Sequence, residues 1–202
     1  DGRTYKTVKI GQQIWMAENL NYSDSINYPS MLERNWCYNN NLDNCAKFGR
    51  LYTWSAAMDS VGTFSSNGKG CGNGDTCSPT FPVRGICPEG WHLPTFAEWR
   101  TLYYLAMGSS PYAMQAKGIS NWSKATDIYG FSAIPVGYRR VGSGDFINFG
   151  YNAYFWSADE SFGRDKNNFA FNLRLQTSEV NINYGYGDKN NGFNVRCLKD
   201  GA

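Results

Sequence analysis

The chain has 202 residues, a formal net charge of +2 and six cysteines. That length suits one domain able to bury a substantial core, and so small a charge steers neither nucleic acid nor an anionic membrane. No apolar run approaches the roughly 20 residues of a membrane-spanning helix. Asp1 opens directly on a strand-like segment, as a mature or trimmed chain does.

The opening reads as a hairpin. Tyr5, Val8 and Ile10 lead into Gly11-Gln12, and Ile14, Trp15 and Met16 lead out; a glycine supplies the positive φ of a tight turn. Asn21 to Asn44 is polar, rich in Asn, Ser and Tyr, and reads as loop. Tyr52 to Met58 fits a short helix. Residues 60–80 hold five glycines and two cysteines, the composition of an irregular surface excursion.

The clearest local signal is CPEGWHLPTFAEWRTLYYLAMG. Thr95 and Glu98 have the spacing of a capping box, each side chain satisfying the other's backbone N–H. Phe96, Trp99, Leu102, Tyr103 and Ala106 follow at helical spacing until Gly108. The second half is strand-rich, with candidates at Phe131–Val136 and Ala153–Ala158. Phe169, Phe171, Leu173 and Leu175 alternate with Ala170, Asn172, Arg174 and Gln176, which predicts a half-buried strand with one polar face. Val180 and Ile182 repeat that pattern, and GFNVRCLKD puts Phe193, Val195 and Cys197 on one face. The helix of this first half should cover the strand carrying Phe169, Phe171 and Leu173, in an α+β fold.

An even cysteine count with close spacings indicates disulfides formed outside the reducing cytosol. Cys37 and Cys45, and Cys71 and Cys77, each bracket a short loop, so local pairing is the simple expectation. That leaves Cys87 with Cys197, although six cysteines allow 15 pairings. Zinc is the rival reading, but CxxC spacings and paired histidines are missing.

The segments DGRTYKTVKIGQQIWMAENLNY, CAKFGRLYTWSAAM, CPEGWHLPTFAEW, GFSAIPVGYR, AYFWSADE and NNGFNVRCLKD occur in this order from Asp1 to Asp200. In this combination the chain resembles the Fibrobacter succinogenes major paralogous domain. The resemblance implies one domain over residues 1–202 in a secreted or lipid-anchored bacterial surface protein. HLPTFAEW and GFNVRC are also similar to stretches of formylglycine-generating-enzyme-like proteins. Their C-type-lectin-like fold implies two helices, antiparallel sheets and long irregular loops. It also implies a long disulfide matching Cys87 and Cys197.

His92 is the only histidine; a general base would need a partner in a cleft, and its place between Trp91 and Leu93 reads as strand. The capping box accounts for Glu98. Asp159 and Glu160 are neighbours on a strand and so point to opposite faces. The lectin calcium triplets and the twelve-residue EF-hand pattern are absent. A structural calcium ion near Asp145, Asp165 or Asp188 is left open, with no ligands named. An enzyme with altered formylglycine-type chemistry is the alternative function, but Cys197 is the only cysteine after Cys87, where that chemistry would require a free pair. No GxSxG, HExxH or phosphate-cradling loop occurs.

Aromatics carry the positive case for a secreted or outer-surface binding module, adhesion-type and non-catalytic, with carbohydrate or a partner protein as ligand. Trp15, Trp54, Trp91, Trp99 and Trp156 fit core patterns. Trp122 stands among Asn121, Ser123 and Lys124, while Tyr184 and Tyr186 stand beside glycines that favour a loop. Flat rings beside amides suit stacking on sugars. The expected ligand site, within Ser120 to Gly192, is therefore Trp122, Asn183, Tyr184, Tyr186 and Asp188.

Overall fold

The computed structural model describes residues 2–28, 31–163, 165–177 and 183–201; the side chains of Asn183 and Tyr184 lie outside that description. The hairpin forms as expected. Strand β1 (Thr7–Ile10) pairs antiparallel with β2 (Gln13–Met16), in the register Thr7↔Met16 to Ile10↔Gln13. Gly11 turns it with φ 61, and a Cβ there would come within 2.7 Å of the Leu105 side chain.

The polar stretch from Asn21 to Asn44 is not all loop. It contains β3 (Asn35–Trp36), which pairs with β4 (Leu51–Tyr52), and the start of helix α1 (Leu42–Phe48). Asn41 caps α1 by accepting from the Asp43 N–H. The helix escapes an apolar-period reading because Cys45 is its one buried residue. With α2 (Trp54–Ala57) and α3 (Phe96–Met107), the described residues hold three α-helices rather than two. The fold is α+β, as expected.

Helix α3 starts at the capping box. The Thr95 hydroxyl accepts from the Glu98 N–H (3.3 Å), and the Glu98 carboxylate accepts from the Thr95 N–H (2.7 Å). Its apolar stripe lies on a three-stranded sheet of order β10-β9-β8, built from β8 (Asn152–Glu160), β9 (Phe169–Gln176) and β10 (Asn183–Asp188). Phe96 meets Phe171 with ring centroids 4.6 Å apart, and the Trp99 indole donates to the Trp156 carbonyl (3.2 Å).

Strand β8 separates two cores. Tyr154, Trp156 and Ala158 join Tyr52, Trp54, Leu93, Phe193 and the Cys87–Cys197 pair. Ala153 and Phe155 join Trp15, Trp99, Leu102, Phe131 and Leu173. Burying each large apolar side chain contributes about 1.5–3 kcal/mol. Four of the five tryptophans assigned to the core are fully buried, whereas Trp91 is half-buried.

Both ends of the chain meet in a second sheet, of order β1-β2-β11-β5, where β5 is Trp91–His92 and β11 is Leu198–Lys199. Disulfides join Cys37 to Cys45, Cys71 to Cys77 and Cys87 to Cys197, the pairs named from the sequence.

Two strand expectations change. Phe131–Val136 makes only an isolated bridge, Ala133 to Gln115. Ser132 has φ 53, held there by Asp127, which accepts from its N–H (2.8 Å) and hydroxyl (2.6 Å). The polar face of β9 is solvated only in part: Ala170 and Asn172 are buried, Asn172 donating to the Gly185 carbonyl (2.9 Å), whereas Arg174 and Gln176 are half-buried. Phe193, Val195 and Cys197 enter one core as expected, and Asn194 and Arg196 between them are also fully buried. Val180 and Ile182 lie outside the described residues.

Candidate functional site

A polar groove of about 1010 Å³ opens where several distant segments converge. Strand β3 contributes Trp36, and the residues before it contribute Glu33 and Arg34. The N-terminus of α2 supplies Thr53 and Ser55, and the glycine-rich excursion supplies Asn73 and Asp75. Arg139 comes from β6 (Tyr138–Arg139), which pairs with β7 (Phe146–Ile147), and Asn190 from the turn after β10. Thr53 is fixed as the cap of α2, its hydroxyl accepting from the Ala56 N–H at 3.3 Å.

Arg139 is the best-held charge in this groove. Its backbone exchanges hydrogen bonds with Gly192 (3.0 and 2.8 Å). Its guanidinium lies over the Trp36 ring, 4.0 Å from the centroid, a favourable cation–π distance. A Cβ at Gly144 (φ 74) would sit 2.8 Å from its terminal nitrogen, so glycine there clears the space the guanidinium occupies. Among the described residues, the guanidinium groups of Arg139 and Arg34 meet no acceptor or carboxylate, and the Asp75 carboxylate meets no donor.

The glycine-rich wall is tied to the core by Lys189, which is fully buried. Its ammonium donates to the Gly72 carbonyl (3.0 Å), the Asp75 carbonyl (3.2 Å) and the Glu160 carboxylate (2.6 Å), and lies 4.5 Å from the Trp54 ring centroid. Three donors find three acceptors, so the cation is saturated. Arg196 is the second buried cation. It sits between the Phe131 and Phe155 rings and donates to Asn19 (2.8 Å), to the Ser132 carbonyl (2.8 Å) and to the Phe131 carbonyl. Burial pulls its pKa down to about 9. Both are structural charges.

Of the site expected from sequence, Trp122 is turned into the core. Trp122 is only 3% exposed; it ends a single 3-10 turn, Ser120–Trp122, and its indole donates to the Tyr151 carbonyl (3.0 Å). Its polar neighbours are the solvated side of a turn whose ring faces inward. Tyr184 and Tyr186 belong to β10 rather than to a loop: their glycine neighbours Gly185 and Gly187 pair with Asn172 and Ala170, and a Cβ at Gly187 would strike Phe193 at 2.4 Å. The side chains of Asn183 and Tyr184 lie outside the described residues. Tyr186 is 53% exposed and packs on Phe171, centroids 4.9 Å apart. Phe162 and Phe96 extend this aromatic face. Asp188 accepts from the Asn190 N–H (2.9 Å), shaping the turn that presents Asn190 to the groove.

The groove residues had fainter signals. Arg139 and Arg140 form the densest basic pair in the chain, and Trp36 is a tryptophan inside a polar, Asn-rich stretch, the same criterion that singled out Trp122.

His92 is buried with both ring nitrogens engaged, Nε2 with Glu98 (3.0 Å) and Nδ1 with Asp200 (2.6 Å). Burial opposes its charge, but the two carboxylates outweigh that and hold its pKa above 6.5. The cluster ties the chain end to the capping box of α3. Asp159 and Glu160 point apart: Asp159 accepts from the Phe96 N–H (2.6 Å), and Glu160 takes Lys189. No group of three or more His, Cys, Asp or Glu side chains able to hold a metal is found among the described residues.

These features define an α+β domain with a doubly tethered, disulfide-stapled surface excursion beside a polar groove. The family model for the Fibrobacter succinogenes major domain matches residues 8–199, and the chain belongs to that family. No curated protein and no solved structure matches the chain.

Proposed function

We infer that the domain is an extracellular, non-catalytic binding module of adhesion type, with carbohydrate as its ligand in the Trp36–Arg139 groove. The observation that carries this reading is the Arg139 guanidinium, set over Trp36 and meeting no acceptor among the described residues. Asn73, Asn190, Thr53 and Asp75 surround it with groups that pair with sugar hydroxyls. Three disulfides fit an extracellular setting, and none of the described helices is long and apolar enough to cross a membrane. The resemblance to C-type-lectin-like folds supports a ligand face in the second half of the chain, where Arg139 and Asn190 lie.

Binding is favoured over catalysis by how the reactive groups are used. All six cysteines are in disulfides, and His92 is held by a carboxylate on each nitrogen. A single sugar site in water reaches an affinity of about −4 to −8 kcal/mol, the millimolar-to-micromolar range. The test is a glycan array with the wild type and Asn190→Ala. The reading expects glycan signals that Asn190→Ala weakens without changing the melting temperature. Signals that survive this change, or an array with none, refute it. A second reading, a protein partner on the aromatic face, rests on Phe162 and Tyr186, which are 75% and 53% exposed around Phe171.

A further inference from the structure

We propose that the groove selects acidic saccharides, chains carrying a carboxylate on the ring such as uronates, and that Arg139 reads the carboxylate; this rests on the groove being the saccharide site.

The argument starts from how the cations of the chain are used. Lys189 is saturated by two carbonyls and Glu160, and each nitrogen of the Arg196 guanidinium meets an acceptor, Asn19 or a carbonyl. Arg139 is held differently, by a ring face and a glycine gap, and its N–H donors meet no acceptor among the described residues. A guanidinium is a planar fork that matches a carboxylate with two parallel hydrogen bonds. The contact with Trp36 restrains the guanidinium before a ligand arrives, so less side-chain entropy is lost on binding. Arg34, also on the groove and without an acceptor among the described residues, adds a second positive charge.

The acidic groups of the groove fit the same ligand. Asp75 has its backbone carbonyl anchored by Lys189, while its carboxylate meets no donor among the described residues. A carboxylate accepts hydrogen bonds from hydroxyls and repels a second carboxylate, so it directs the sugar's acid group towards Arg139 and its hydroxyls towards Asp75. Glu33 is exposed and adds a further repulsive group. A simple anion would meet Arg34 and Arg139 against Asp75 and Glu33 with no net attraction. A uronate offers both an acid and hydroxyls, and meets both halves of the lining. Trp36 is a positioning residue, since it acts through the guanidinium it carries.

The experiment compares acid and esterified forms of one polymer. Polygalacturonate and its methyl ester share a backbone and differ in the carboxylate charge; alginate and polyglucuronate with their esters extend the panel. Affinity is measured by calorimetry at low and at high salt. The proposal expects at least one acid polymer to bind at least tenfold tighter than its ester, with the gap shrinking in salt. Arg139→Gln should collapse the gap by lowering acid affinity more than ester affinity, and Trp36→Leu should narrow it. Arg100→Gln, on the outer face of α3, should leave it intact. Arg34→Gln, which should narrow the gap, serves if Arg139→Gln does not fold. Equal binding of acid and ester overturns the acidic selectivity but leaves the saccharide groove standing if Asn190→Ala still weakens both. A gap that survives both Arg139→Gln and Arg34→Gln, or no binding by any acid polymer, overturns the proposal.

Discussion

Lys189→Met is the substitution whose cost the structure specifies most closely. The change keeps the length and apolar stem of the side chain but deletes an ammonium that is fully buried. Glu160, with its side chain 13% exposed, then keeps a buried carboxylate with only the long contact from the Cys77 N–H (3.4 Å). Removing one partner of a buried pair costs about 3–5 kcal/mol, because the surviving charge is left uncompensated. The residual exposure of Glu160 places the expected loss near the lower figure, about 3 kcal/mol. Lys189→Met combined with Glu160→Gln should lose only about 1–2 kcal/mol, since no charge is stranded. Denaturant unfolding at pH 7 with the disulfides intact measures both. The carbonyls of Gly72 and Asp75 lose their anchor as well, so limited proteolysis should cut residues 72–76 faster. A loss below about 1 kcal/mol with no change in proteolysis would refute the role given to this lysine.

Four further outcomes follow from other contacts of the fold. The folded pKa of His92 lies above 6.5, so its contribution is complete below pH 6.5 and disappears as pH rises through the folded value. Unfolding free energy against pH should therefore fall across that window in the wild type, and His92→Gln should flatten the fall. Glu98 is held below 4.5, burial being outweighed by His92 and Thr95; its contribution is present above pH 4.5 and fades as pH drops through the lowered value. Trp122→Ala should cost about 3–5 kcal/mol as a core truncation and leave sugar affinity of the folded fraction unchanged, which calorimetry separates from unfolding. Replacing Cys87 and Cys197 by Ala opens a 110-residue separation, worth about 5 kcal/mol in the chain-entropy account. Opening Cys37–Cys45, at separation 8, should cost about 2.5 kcal/mol on the same account; thermal midpoints of the two variants rank them.

What the sequence displays well is local order. The Thr95–Glu98 box, the period of α3, the alternation of β9 and the Gly11 hairpin are each written within a dozen residues, and each forms. The burial of Ala170 on the second face of β9 was not legible, because it depends on Phe193 and Trp156 from elsewhere in the chain. Ser132 interrupts an apolar run through a hydrogen bond to Asp127, which strand patterning does not register. Trp122 and Trp36 share one sequence signature, a tryptophan among polar residues. They part only in three dimensions, the first turned inward to Tyr151 and the second carrying Arg139 at the groove. The groove itself joins segments more than a hundred residues apart, so only its pieces, such as Arg139-Arg140, are visible before folding.

The central claim is that ligand meets the chain at the Trp36–Arg139 groove, and chemical-shift mapping tests it most directly. Isotope-labelled protein is titrated with the tightest-binding saccharide of the array, following the Trp36 indole N–H, the Arg139 side-chain N–H and the amides of residues 70–75. The account predicts shifts concentrated on these groups, with the buried Trp122 indole unmoved. Shifts confined instead to Tyr186, Phe162 and the neighbouring amides of β10 would contradict it and move the ligand to the aromatic face.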